Sequence, residues 1–484
     1  MIRASFLGLA SFPIGLAMAT VAALAPLHGQ DTAPTIGAGN FDKLAKLARN
    51  YYGFFDREEL VKANKELVKL IDESGKAAKS TKVAEPLVAV GDWREILRRG
   101  LMVEKPTVNI SWRADLRRAD VPSPIDLSDD LKVLEGVFDN KLKAFVSLPA
   151  DYAKVAYPVI IGLHPMDDEV KAAKDLTKSK VIEEKVKAWA GATYSKELLA
   201  KAIVICPIMD LALRGSDNVS FSRPRWDSDT GALWVFRSFS EIISKNANFD
   251  PSRIYIDGHG SGATAALLFC ARFPGAQSGA IVRSTPPQQI DFGNCLGTPV
   301  LFVGGETKEF FETWKASEGF KLEQHDALDD AALLAWMTAN PKEFAPRKVV
   351  LETQDIRYAS SFWLRVSAED PTKEKLPIKI NAIVDPQKNE ITVVTNEKVL
   401  GFEIYLNDAM LDLGKPVRVL HRLVPDEKVA GADGAAEGAD APKESERFNG
   451  TVKRVLEQTL QWAWFRPFCN TGEVYVAMIS VELG

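Results

Sequence analysis

The spacing of apolar residues changes along this chain. Between residues 40 and 75 it is helical, with Phe41, Leu44 and Leu47 followed by Leu60, Leu67 and Leu70. Residues 76–130 keep no sustained period and contain Pro86, Pro106, Pro122 and Pro124, which predicts a wrapping or linking segment. From about residue 140, short apolar runs alternate with helical patterns. The runs at 145–148, 159–163, 203–206, 254–256, 280–282 and 300–303 predict strands. Leu233, Phe236, Phe239 and Ile242 mark one of the helices between them. Apolar strands separated by helices predict a mostly parallel, doubly wound sheet covered on both faces. After about residue 346 the period becomes two. The segments 350–353, 362–366, 378–383, 391–394 and 402–406 largely alternate apolar and polar residues, and 417–420 and 474–479 keep strand character. This predicts a small antiparallel β-sandwich.

A low-complexity stretch, residues 427–446, interrupts the last region with few residues worth burying, and a disordered loop is expected there. At 484 residues the chain is too long for one ordinary core. Its 46% hydrophobic and 26% charged content is that of a globular protein, and a net charge of −5 with no basic stripe excludes nucleic acid as the expected partner. The N-terminus has the pattern of an export signal: Arg3, then an alanine-rich apolar run from Phe6 to Leu27. Cleavage is expected near Gly29 and Gln30, taking the net charge from −5 to −6 by removing Arg3, although Leu27 is not the usual small residue before such a site. An uncleaved anchor is the alternative, since the run is nearly long enough to span a bilayer, but Pro13 and Pro26 favour cleavage. Either way the expected location is the periplasm, the cell envelope or the exterior. The expected organisation is a signal at 1–29, a helical segment and linker at 30–130, an α/β domain at 131–345 and a sandwich-like domain at 346–484.

Four cysteines, Cys206, Cys270, Cys295 and Cys469, allow three pairings in an oxidising compartment. Cys206 and Cys270 lie in apolar elements and are expected to be small core residues. No Cys-x-x-Cys or paired-histidine spacing is present, so no metal site or cofactor is expected.

The candidate chemistry centres on residues 251–274, PSRIYIDGHGSGATAALLFCARFP. A strand leads through a glycine turn into an apolar helix. That is the strand–turn–helix setting of a nucleophile elbow, G-x-S-x-G. Here the five positions are Gly258, His259, Gly260, Ser261 and Gly262, and the central one has no side chain to attack a carbonyl.

The chain resembles secreted α/β-hydrolases of the esterase, polyhydroxybutyrate-depolymerase-like and prolyl-oligopeptidase-like group. The resemblance rests on LKAFVSLPADY (142–152), YPVIIGLHP (157–165), FDPSRIYIDGHGSG (249–262) and TPVLFVGG (298–305), and covers roughly residues 140–484. It implies an α/β-hydrolase fold; KINAIVD (379–385) and DLGKPVRV (412–419) resemble a sandwich tail found on some secreted members. It also implies four catalytic parts. Gly260 stands where the nucleophile belongs; Ser261, next to it, serves only if the turn is shifted, and otherwise simply begins the helix. The oxyanion loop follows His164, where Pro165 has no N–H; Met166 or Asp167 is left to donate, beside acidic Asp168 and Glu169 that suit an exposed helix start better than an oxyanion. Lys308 falls at the acid position, flanked by Glu306 and Glu309, and Glu306 substitutes only if the loop shifts. His325 falls near the family's histidine. Of the other histidines, His164 and His259 are expected to be packed turn residues, and His421 to lie on the surface of the sandwich.

Three of four parts depart from the pattern at separate places. The expectation is an exported α/β-hydrolase-fold protein with lost or much reduced esterase or peptidase activity, acting as a binding protein. Its ligand would be a small ester, peptide or saccharide in the cleft, with a cell-surface or protein partner on the C-terminal domain. One alternative is an active serine hydrolase using Ser261, His325 and Glu306. Another is a structural envelope scaffold.

Overall fold

The computed structural model describes residues 36–55, 58–78, 90–101, 117–122, 141–152, 154–165, 179–208, 226, 229–239, 243, 248–283, 293–295, 297–315, 320–368, 377–425, 444–457, 459–460 and 474–483. The leader, Met166 to Glu169 and Cys469 lie outside the described residues. Among the described residues no helix is long and apolar enough to cross a membrane.

The central element is an eight-stranded sheet in the order β1-β2-β4-β3-β5-β6-β7-β8. Its strands are β1 (Arg117–Pro122), β2 (Lys141–Ser147), β3 (Tyr157–Leu163), β4 (Ile203–Pro207), β5 (Phe249–His259), β6 (Gly279–Arg283), β7 (Pro299–Val303) and β8 (Lys321–His325). β2 runs antiparallel to β1 and β4; every pair from β4 to β8 is parallel. The all-buried runs of β4 and β7 fit strands covered on both faces. One face packs on α6 (Asp229–Ser238) and α7 (Ser261–Arg272), through residues such as Val235, Phe236, Leu267 and Phe269. The other packs on α4 (Ser179–Thr193), α5 (Lys196–Lys201) and α9 (Asp330–Ala339), through Val186, Leu198, Trp336 and Met337. α8 (Lys308–Lys315) joins β7 to the edge strand β8. Cys206 and Cys270 are buried free thiols, as a core role requires, and Cys295 is buried with Sγ 3.9 Å from the Leu267 carbonyl oxygen.

Two smaller sheets follow: β10 (Ser360–Ser361), β11 (Leu364–Ala368), β14 (Val399–Leu406) and β17 (Ala477–Glu482) in one, and β16 (Ser445–Gly450), β15 (Val417–Leu423), β13 (Glu390–Thr395), β12 (Ile378–Asp385) and β9 (Lys348–Thr353) in the other. Alternate residues of both, such as Ile380, Val393, Phe402 and Ile479, bury one shared core. The expectation of antiparallel pairing throughout needs correction, because β13 and β15 run parallel. The intervening strand β14 lies in the other sheet, so the chain crosses over and returns in the direction it left. The low-complexity stretch also ends earlier than expected: Ser445 and Glu446 belong to β16 and pair with β15.

The helices α1 (Ala38–Phe55), α2 (Leu60–Ala78) and α3 (Val90–Leu101) join this second core through Leu44, Tyr51, Leu70, Trp93 and Ile96. α3 falls in the region expected to wrap or link. Its signal, Trp93, Ile96 and Leu97 on one helical face, is only three turns long and lies among prolines. The Arg94 guanidinium sits 4.1 Å from the Phe344 ring centre, and Lys342 lies 5.0 Å from the same ring. Lys342 also donates to the Gly275 carbonyl at 2.9 Å, tying the helices and the second core to the large sheet.

His421 overturns its expected surface position. It is 3% exposed on β15, with Nε2 2.9 Å from Thr395 Oγ1. Burial, with a smaller contribution from Arg447, lowers its pKa to about 4. The fold therefore favours the neutral ring. Its stabilising contribution is complete above the unfolded value of about 6.5 and is lost as the pH falls through 6.5 to 4. Denaturant melts at pH 7 and pH 4 are expected to differ by about 2 kcal/mol more in the native chain than in His421→Gln. An equal pH dependence in both would refute this assignment.

Candidate active-site elbow

β5 ends at the carboxyl edge of the large sheet, where open α/β sheets place their ligands. The chain turns there through Gly260, at φ 59° and ψ −123°, and enters α7 at Ser261. This backbone conformation is one that side chains adopt only under strain. The flanking glycines answer a different need. A Cβ on Gly258 would lie 2.0 Å from the Gly262 carbonyl oxygen, and one on Gly262 would lie 2.1 Å from that of Leu163. Strand end and helix start thus touch backbone to backbone. The turn thus has two glycines demanded by backbone contact and, between them, a strained Gly260 with no side chain.

The place that such a side chain would enter is tight on one side. A Cβ on Gly260 would lie 3.1 Å from Pro165 Cβ. Pro165 follows β3, and its carbonyl accepts a 2.9 Å hydrogen bond from Nδ1 of His164. His164 is buried between two indoles, with ring centres 5.1 Å from Trp226 and 6.3 Å from Trp189. Trp226 donates to the His164 carbonyl at 2.9 Å, and Trp189 donates to Nδ1 of His259 at 3.2 Å. Both histidines are therefore packed turn residues tied to tryptophans.

Beneath the elbow lies a buried ion pair that the sequence pattern does not reveal. Asp257 is fully buried and accepts from Arg283 at 2.8 and 3.0 Å, a bidentate contact between β5 and β6. Burial opposes the Arg283 charge, but the Asp257 carboxylate outweighs it and the pKa is raised. Burial, then the Asp257 charge, pushes the hydroxyl of Tyr194 and the thiol of Cys206 upward, so both stay neutral. Tyr194 lies near the carboxylate without a well-formed hydrogen bond to it. The alternation of Asp257 and His259 on one strand was the available signal; its partner on β6 could not be read from spacing.

The acid and base candidates lie elsewhere on the sheet. The loop after β7 is a tight turn over Gly305–Thr307, in which Glu306 is exposed and Thr307 bonds back to the Gly304 carbonyl at 2.7 Å. Lys308 and Glu309 are exposed at the start of α8. The Gly304 N–H donates to the His325 carbonyl at 2.9 Å, so the structure brings acid loop and histidine side by side. His325 closes the edge strand β8, in register with Val303, with Nε2 3.7 Å from Glu323. Three strand spacings separate β8 from β5, about 14 Å. Only 326–329 intervene before α9, whose first turn Asp329 caps. Ser261 itself is the exposed first residue of α7. Among the described residues no cluster of three or more metal-binding side chains is present.

Fold and site together define a parallel-rich α/β protein with a strained glycine turn between β5 and α7. No protein-family model matches the chain, and no curated protein matches it. Among solved structures it is similar to a thermostable esterase, at 13% identity over 47% of this chain and 64% of that one, with a TM-score of 0.30. It is similar also to the S-formylglutathione hydrolase of Agrobacterium tumefaciens (15% identity, 48% and 98% covered, TM-score 0.27) and to the Bacillus cereus carboxylesterase (17%, 41% and 94%, 0.24). The chain spans just under two thirds of the thermostable esterase.

Proposed function

We propose that this chain is an exported α/β-hydrolase-fold protein that has lost serine-hydrolase chemistry and acts as a binding protein for a small ester, peptide or saccharide. One observation carries the reading: the nucleophile position is Gly260, in the strained backbone of an elbow, with Pro165 against the point where a side chain would emerge. Catalysis by such an elbow needs nucleophile and base within hydrogen-bond reach.

Hydrolysis of short-chain nitrophenyl esters by the purified protein tests the loss of chemistry. Native chain and Ser261→Ala are both expected to show background rates, with no fluorophosphonate labelling. Turnover that disappears in Ser261→Ala would establish a displaced nucleophile and defeat the proposal. Gly260→Ser is expected to stay silent, because Pro165 must give way before a side chain fits at that position. Thermal melts against a panel of esters, peptides and oligosaccharides test the binding role. A saturable rise in the midpoint supports it, and no rise with any of them favours a scaffold.

A further inference from the structure

On α2, Ala63, Leu67, Leu70 and Ser74 face the second core. Beside that buried face runs a second apolar stripe that nothing among the described residues covers. Val61 is 73% exposed, Val68 57% and Ile71 39%, with Leu60 alongside at 57%. With Asn64 and Gly75, the positions 61, 64, 68, 71 and 75 repeat at intervals of three and four, the spacing of a helix–helix seam. Exposed aliphatic residues scattered singly need no explanation, but Val61, Val68 and Ile71 on one face of a helix, with Leu60 beside them, do.

The charges beside the seam say what covers it. On the far side of α2, Lys62, Lys69 and Lys76 are each paired with the glutamate three residues earlier. Lys65 and Asp72, which flank the seam one heptad apart, are in none of the contact ion pairs of α2; Asp72 acts on Lys76 only through space, less than Glu73 does. An antiparallel two-fold pairing sets the same edge of each helix against itself, so Lys65 of one copy meets Asp72 of the other, twice. A parallel pair would set that edge against the opposite one and lose both contacts. We infer that α2 is the self-association surface of this protein, pairing antiparallel with α2 of a second copy and crossing near Val68. Gly75 at one end of the seam lets the partner backbone come close. A helix of this length spans about 28 Å, so the interface is small and the dimer concentration-dependent.

Sedimentation equilibrium of the full chain over a wide concentration range is the test. The native protein is expected to dimerise. Lys65→Glu is expected to weaken the dimer at least about tenfold, and Lys65→Glu combined with Asp72→Lys to restore it. Val68→Glu should weaken it similarly, with an unchanged thermal midpoint because the residue is exposed. Val68→Cys should cross-link across the crossing point under mild oxidation. A native chain that stays monomeric, or a dimer indifferent to Val68→Glu and to the charge reversal, overturns the inference. So does binding to anionic lipid vesicles that Val68→Glu abolishes in the absence of any dimer, which would make the stripe a membrane contact.

Discussion

Gly262→Ala is expected to lower the stability of the chain by at least about 3 kcal/mol, on the order of a 10 °C fall in thermal midpoint. The added methyl would lie 2.1 Å from the Leu163 carbonyl oxygen and 2.9 Å from the Leu163 Cβ, atoms of a fully buried strand that cannot yield without moving β3. Gly191→Ala is the control. Gly191 lies in α4 with open space around its Cα, so the same substitution is expected to be neutral or to stabilise by up to about 1 kcal/mol. Calorimetry of the two variants separates steric need from composition. Equal midpoints for Gly262→Ala and the native chain would show that the elbow is looser than described.

Arg283→Met is expected to cost roughly 3–5 kcal/mol, because it leaves the Asp257 carboxylate fully buried with its bidentate partner gone. Removing the charge as well, in Asp257→Asn with Arg283→Met, is expected to recover most of that loss, since two neutral groups of similar size avoid the desolvation of an ion. Urea melts of the two single variants and the double variant form a closed cycle that isolates the pair. Additive losses would show that the two groups do not act as a unit. The pair joins β5 to β6 directly below the turn, so the same cycle reports how rigidly the elbow is held.

The sheet strands were legible because both faces are buried: an uninterrupted apolar run such as 300–303 can hardly be anything but a covered strand among helices. The elbow was legible for a related reason. Its outer glycines are demanded by backbone contact, whatever the middle residue does. α3 was not legible, because three apolar residues in a proline-rich neighbourhood give little period to detect. Nor was the burial of His421, which depends on the register between β13 and β15 and on the parallel return of β15. At the site, the sequence reveals the glycine at the centre of the turn but not what packs around it. Pro165, Trp189 and Trp226 approach the turn from three separate segments, and no spacing rule links them. Arg283 escaped notice for the same reason: its partner is a strand away, where only the sheet order joins them.

The hydroxyl of Tyr52 in α1 donates to the carbonyl of Leu460 at 3.1 Å, across 408 residues of chain. The second core is therefore built from both ends of the described polypeptide, while the large sheet is built from its middle. During synthesis the large sheet can collapse on its own helices as it emerges, but α1 to α3 must wait for the last strands before their apolar faces are covered. Such a closing step has high sequence separation and is slow. A chain arrested before the last strands would carry a finished elbow and an open second half, with the helices made first among the last parts to find their place.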